Sequence, residues 1–167
     1  MSEHTHNTTS ACLPEQILVA FFGERRLTLA LAESCTGGQI AARITSIPGA
    51  SAMFNGGIVC YANAVKRDFL GVSQAILETE GAVSASCAKA MAEGARKVLK
   101  TNIAVSVTGI AGPGGGTSEK PVGLVFIGIA TETAVSAEEH FFTGNRASIR
   151  TQAADAAMTA AMTAAKH

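Results

Sequence analysis

The chain has no tryptophan and a single tyrosine, and aromatics make up only 5% of its 167 residues. With apolar residues at 47% and 17 glycines, it is a small-residue-rich globular sequence, long enough for one domain with a sizeable core. Net charge is also missing. Thirteen Lys and Arg balance thirteen Asp and Glu, which excludes the basic field that holds nucleic acid or an anionic membrane and favours a small-molecule ligand. Cysteine is scarce and dispersed: Cys12, Cys35, Cys60 and Cys87 form no C-x-x-C pair. That spacing argues against a disulfide framework or a zinc site and for reduced thiols in a cytoplasm. Histidines do not cluster either. His4 and His6 share a polar opening without a third ligand, and His140 and His167 stand alone, so no metal is expected. The opening has too little hydrophobicity to fold and lacks the apolar h-region of a signal peptide. Residues 1–12 are expected to be a flexible tail before a single domain over 13–167.

Helical and β-prone segments alternate along that domain. Pro14 to Arg25 carries Ile17, Leu18, Phe21 and Phe22 at helical spacing, with Gly23 as a stop signal. The run Leu27 to Ala32 reads as a strand, and Gln39 to Thr45 as a helix. Phe54 to Tyr61 reads as the second strand, followed by a short helix capped by Asn63 and a further helical piece over Gln74 to Glu80. Ser84 caps a long helix to Lys100, whose apolar stripe is Ala88, Met91, Ala92, Ala95, Val98 and Leu99. Ile103 to Val107 is a strand ending in Thr108 and Gly109. Strands over 122–131 and 134–142 follow a glycine-rich loop, and Asn145 caps an alanine-rich last helix over 147–165. This order implies an α/β fold, a three-layer α/β/α sandwich with a mixed β-sheet. No internal repeat is visible. The small residues of the last helix permit close packing between subunits, so a homo-oligomer is expected.

Chemistry concentrates at the strand ends. Glu33-Ser34-Cys35-Thr36-Gly37-Gly38 joins the first strand to a helix, placing Ser34 where a nucleophile would sit and leaving helix-start N–H groups able to hold negative charge. Alternatively, Ser34 or Thr36 simply caps that helix. The turns after Tyr61 and Thr108 converge on the same crevice, where open α/β sheets bind ligands. The loop Ala111 to Thr117 lacks the Gly-Lys-Ser/Thr ending of a P-loop, and is either a surface loop or a backbone cradle for a carbonyl or phosphate. No histidine lies in any of these turns, so Lys66 is the best candidate base for Ser34. A lysine does this only as the neutral amine, which burial or a neighbouring cation such as Arg67 would favour. Tyr61 either relays a proton and orients the lysine or is an ordinary strand-end tyrosine. Cys35 is a rival nucleophile without a histidine partner. Arg146 and Arg150 share one face of the last helix, and either grip a phosphate or meet Glu138 and Glu139.

Four ordered motifs now stand together: Ala32 to Gly38; Tyr61-Ala62-Asn63 with Lys66; Thr108 to Gly115; and Glu119-Lys120-Pro121-Val122-Gly123. With Phe142-Thr143-Gly144-Asn145-Arg146, they make the chain resemble the CinA carboxyl-terminal domain, the nicotinamide-nucleotide amidase family, from about Pro14 to Ala165. The resemblance implies hydrolysis of nicotinamide mononucleotide to nicotinate mononucleotide and ammonia, in pyridine-nucleotide recycling, with no cofactor. It makes Ser34 the nucleophile and Lys66 its base, with Tyr61 assisting. Cys35, Thr36, Gly37, Gly38, Thr108, Gly109, Gly112, Gly114 and Arg146 then surround the substrate, with N–H groups near Thr36 and Gly37 steadying the oxyanion. Relatives often have serine at position 62, where this chain has Ala62. Many also carry an amino-terminal pyrophosphatase-like domain, whereas only a short tail precedes the amidase region here, so a free-standing deamidase is expected. Two other functions stay open: a non-catalytic nucleotide-binding module linked to competence or DNA damage, and an amidase for another small amide.

Overall fold

A strand buried on both faces has no solvent side, and this shapes the centre of the sheet. In the computed structural model, which describes residues 12–166, β1 (Leu29–Glu33) is buried at every residue and lies between β2 (Phe54–Val59) and β3 (Ile103–Gly109), parallel to both. Strands β4 (Leu124–Ala130) and β5 (Val135–Phe141) extend the sheet antiparallel, giving the order β2-β1-β3-β4-β5. The tail expected over 1–12, with His4 and His6, falls almost wholly outside the described residues, as does His167.

Successive strand residues point to opposite faces, and here the alternation sorts them by size. Leu29, Leu31, Val105, Val107, Val125 and Ile127 join the main core with α1 (Pro14–Arg25), α2 (Gln39–Thr45) and α6 (Arg146–Ala164). On the other face Ala30, Ala32 and Ala104 meet Cys87, Met91 and Ala95 of α5 (Ala85–Leu99), flanked by α3 (Asn63–Leu70) and α4 (Gln74–Thr79). The fold is therefore the α/β/α sandwich with a mixed sheet. Small residues let α5 lie almost on the sheet: Ser106 Oγ donates to the Ala88 carbonyl at 2.6 Å, and a Cβ at Gly128 would overlap that same carbonyl. No helix among the described residues is long and apolar enough to cross a membrane.

Several local expectations are corrected. Ile17 is exposed, and α1 instead buries Leu18, Val19, Phe22 and Glu15, whose carboxylate meets Arg43 at 2.6 Å. Gly23 lies within α1, which ends at Arg26 in the left-handed conformation, φ 55°. Val98 is exposed, while its neighbour Leu99 packs against the α5 side of the core. Asn63 does not cap α3. The chain stays extended through Ala62, which takes the cap position with φ −82° and ψ 150°, and Asn63 becomes the first helical residue.

Gly94 sits where α5 crosses the end of α3, and a Cβ there would overlap the Leu70 carbonyl. In an isolated helix Gly→Ala adds about 1 kcal/mol of stability. Here the sign reverses: Gly94→Ala is expected to destabilise by about 1–3 kcal/mol, measured by urea unfolding.

Candidate active site

The turn that carries Ser34 is built by the residue before it. Glu33 is the polar end of an apolar strand, yet it is only 1% exposed. Its Oε2 accepts N–H donors from Gly38 and Ile40 at 3.0 and 3.1 Å, and Oε1 accepts from Ala41 at 2.8 Å. The carboxylate thus takes up the orphan donors that begin α2. Neither Ser34 nor Thr36 is the cap, and that helix start is not open to a ligand. Gly37 and Gly38 hold φ of 58° and 93°, which glycine adopts without steric cost and which let the chain double back over Glu33.

This leaves the Ser34 hydroxyl for other work. Lys66, in the first turn of α3, is 1% exposed, and its Nζ reaches Ser34 Oγ at 3.0 Å. The same nitrogen donates to the carbonyls of Cys60 at 2.7 Å and Tyr61 at 3.2 Å. Those carbonyls terminate β2, so the strand end and the helix start jointly aim the amine. Arg67 points away: it is exposed and pairs with Asp68 at 2.7 Å, so it is not the cation facing Lys66.

Backbone donors complete the centre. The Ser34 N–H donates to the Val107 carbonyl at 2.9 Å, and the Gly37 N–H to the Ser34 carbonyl at 3.1 Å. Among the described residues the N–H groups of Cys35 and Thr36 find no acceptor, and the buried Thr36 Oγ1 is also without a partner. Gly37, expected as an oxyanion donor, is therefore occupied, and Cys35 takes its place beside Thr36. Arg150 fixes this turn from α6, donating to the carbonyls of Cys35 at 3.2 Å and Thr36 at 2.6 Å. Neither it nor Arg146 meets Glu138 or Glu139; Glu138 pairs with His140.

Arg146 forms the rim. Its guanidinium donates to the Gly112 carbonyl at 2.8 Å and to the Tyr61 hydroxyl at 3.3 Å, bridging the glycine-rich loop to the end of β2. The Tyr61 side chain is exposed and turned to Arg146; only its carbonyl touches Lys66. Thr108 is buried and spends its hydroxyl on the Ala82 carbonyl at 2.7 Å. Gly109 and Gly112 are packing requirements, since a Cβ would come within 2.6 Å of the Leu124 carbonyl and of Val122 Cγ1 respectively, while Gly114 faces open space. The loop itself is tied down: Lys120 Nζ reaches back to the carbonyls of Glu80 and Val83. Sequence reasoning missed Glu33 and the grip of Arg150. An acidic residue at a strand end just before a Gly-Gly helix start was the available signal for the first. A cavity of about 670 Å³ lies at the opposite, amino-terminal end of the parallel strands, lined by Leu27, Thr101, Ile103 and Ile129, and shares none of these residues.

Together the fold and the site define an α/β protein with a buried serine–lysine pair at the carboxyl edge of its sheet. Residues 13–164 match the model of the CinA C-terminal domain, and the chain belongs to that family. It is 55% identical over 137 residues to a CinA-like protein of Geobacter metallireducens, covering 82% of this chain and 33% of that protein. The chain spans about a third of the length of the curated relatives it matches. Among solved structures, the competence/damage inducible protein CihA from Agrobacterium tumefaciens is 41% identical with a TM-score of 0.88, covering 92% of this chain and 94% of that one. A CinA superfamily protein from Klebsiella pneumoniae is 30% identical with a TM-score of 0.85, covering 91% and 97%.

Burial pushes the Cys35 thiol up to about 11 despite the nearby Arg150 charge, and burial likewise raises Cys60 to about 11. Cys35 is thus a protonated thiol at neutral pH and a poor nucleophile. Both thiols hold their protons more tightly folded than unfolded, so their contribution to stability is full below pH 9.0 and is lost as pH rises from there to about 11. Urea unfolding between pH 7 and 11 should show this decline, and a shallower one in Cys35→Ala.

Proposed function

We propose that this chain is a hydrolase of a linear carboxamide, with Ser34 as nucleophile and Lys66 as its base, and that its substrate is nicotinamide mononucleotide. The observation that carries this reading is the buried Lys66 amine, 3.0 Å from Ser34 Oγ with carbonyls on two of its other sides. A neutral amine has two N–H donors and one lone pair. The Cys60 and Tyr61 carbonyls take the two donors, which leaves the lone pair on the serine hydroxyl.

The steps follow from that geometry. Lys66 Nζ accepts the Ser34 proton as Oγ attacks the carboxamide carbon, and the Cys35 and Thr36 N–H groups receive the oxyanion. Collapse of the tetrahedral adduct breaks the C–N bond, and Lys66 returns the proton to the departing ammonia. A water molecule then gives its proton to Lys66 and attacks the acyl-enzyme, releasing the acid and regenerating Ser34. The substrate follows from the family resemblance, and the rim supports it: Arg146 stands at the start of α6, beside the glycine-rich loop, as a cation for an anionic group.

Ammonia release from nicotinamide mononucleotide, compared with nicotinamide riboside and nicotinamide, tests this directly. Turnover of the mononucleotide alone is expected; equal turnover of all three would remove the phosphate from recognition. Lys66→Met is expected to lower kcat by about 10²–10⁴-fold. Lys66→Arg should do the same, because guanidinium keeps its proton and cannot act as base. Wild-type acylation in Lys66→Arg would show that position 66 supplies charge alone. Arg146→Ala should act on binding instead, raising KM about tenfold or more with little change in kcat.

A further inference from the structure

Glu33 touches neither Ser34 Oγ nor Lys66 Nζ, yet it is bonded to the supports of both. Its carboxylate collects the N–H groups of Gly38, just before α2, and of Ile40 and Ala41 within it, and its carbonyl accepts the Cys60 N–H at 2.8 Å. Cys60 in turn presents to Lys66 the carbonyl that lies nearest to Nζ, at 2.7 Å. One residue therefore ties the nucleophile turn, the α2 start and the strand end that holds the base.

We propose that Glu33 is a positioning residue for the chemistry at Ser34: its carboxylate folds the 34–38 turn over itself so that the Cys35 and Thr36 N–H groups stay unpaired and available to the oxyanion. The inference rests on the Ser34–Lys66 reading above. Its logic is one of donor allocation. The turn and the first residues of α2 offer a limited set of backbone donors. Glu33 takes those of Gly38, Ile40 and Ala41, the Ser34 carbonyl takes that of Gly37, and the Thr36 carbonyl takes that of Gln39. What remains is the pair adjacent to the nucleophile. A serine, threonine or aspartate within the turn could cap α2 as well, but it would draw the chain between 34 and 37 toward the helix axis. Reaching from the strand, before the nucleophile, Glu33 caps the helix without using the turn's own side chains.

Glu33→Gln keeps the shape and supplies one acceptor oxygen where the carboxylate supplies two, so a donor of α2 faces the new NH₂ group. The expected result is a fall in kcat of about a hundredfold, the cost of a misplaced oxyanion donor, with KM within about threefold of wild type. A tetrahedral boronic-acid inhibitor of Ser34 should weaken by about the same hundredfold, while the planar product nicotinate mononucleotide binds within about threefold. If boronate and product weaken together, or if kcat stays within about tenfold of wild type, Glu33 is only a structural cap and the proposal fails. Labelling of Ser34 by a fluorophosphonate separates this from failure of the underlying reading. A wild-type chain that labels at Ser34 yet releases no ammonia from the mononucleotide overturns the substrate, and the labelling rate of Glu33→Gln then decides the positioning role. A rate about a hundredfold slower supports it, and an unchanged rate overturns it. Unfolding of Glu33→Gln at the assay temperature would be read by circular dichroism, and Glu33→Asp, which keeps the charge but is one methylene short, then takes the same measurements.

Discussion

Burying a lysine amine costs several kcal/mol unless its hydrogen-bonding capacity is met by partners, and that requirement organises the carboxyl edge of this sheet. Lys66 meets it with the Ser34 hydroxyl and two backbone carbonyls. To present those carbonyls, the chain must leave the β2 ladder at Cys60 and Tyr61, remain extended through Ala62, and start α3 at once. The absence of a side-chain cap on α3 is the local expense of that arrangement: the Ala62 carbonyl takes the first helical donors at Val65 and Lys66 while the side chain offers nothing. Close packing of α5 onto α3 at Gly94 then holds the helix against the sheet, which keeps Nζ at bonding distance from Oγ.

The same economy of small residues serves both stability and the site. Ala30, Ala32, Ala104 and Gly128 let α5 approach one face, while Leu, Ile and Val on the other face form the main core. Strand ends at such a tightly covered sheet have little freedom, so the turns after β1, β2 and β3 are rigidly related. Lys120 and Arg146 extend that rigidity into the glycine-rich loop, through the Glu80 and Val83 carbonyls on one side and the Gly112 carbonyl on the other.

Much of this was legible in the residues. The helices at 14–25 and 39–45 have the bounds read from the residues, although Gly23 lies inside the first, Ile17 is exposed on it, and Glu33 rather than Ser34 or Thr36 takes the free donors of the second. The serine–lysine pair was reachable by asking which base could serve Ser34 in a chain without a suitable histidine. What remained hidden depended on contacts distant in sequence or on backbone atoms. Arg150 reads as one of two arginines on a helix face, yet it bonds carbonyls more than a hundred residues earlier. The role of Glu33 was masked because it ends an apolar run, where a glutamate looks like a strand terminus facing solvent. Asn63 was misplaced by one residue because a side chain suited to capping says nothing about where the strand before it releases the backbone.

Zero net charge still permits recognition of an anion, because charge is arranged locally. Arg146 and Arg150 both reach the turns around Ser34, and the charge of Arg150 is felt at the Cys35 thiol. The nearest carboxylate, Glu33, is engaged by three N–H groups at the start of α2, those of Gly38, Ile40 and Ala41, whose partial positive charge offsets it. The remaining acidic residues lie mostly on the surface, several paired with neighbours such as Arg67 and Lys97. A chain of zero net charge thus sets two guanidinium groups, Arg146 and Arg150, at the turns around Ser34 without the broad basic surface that would attract nucleic acid, and the anionic substrate proposed above rests on where the charges are rather than on how many there are.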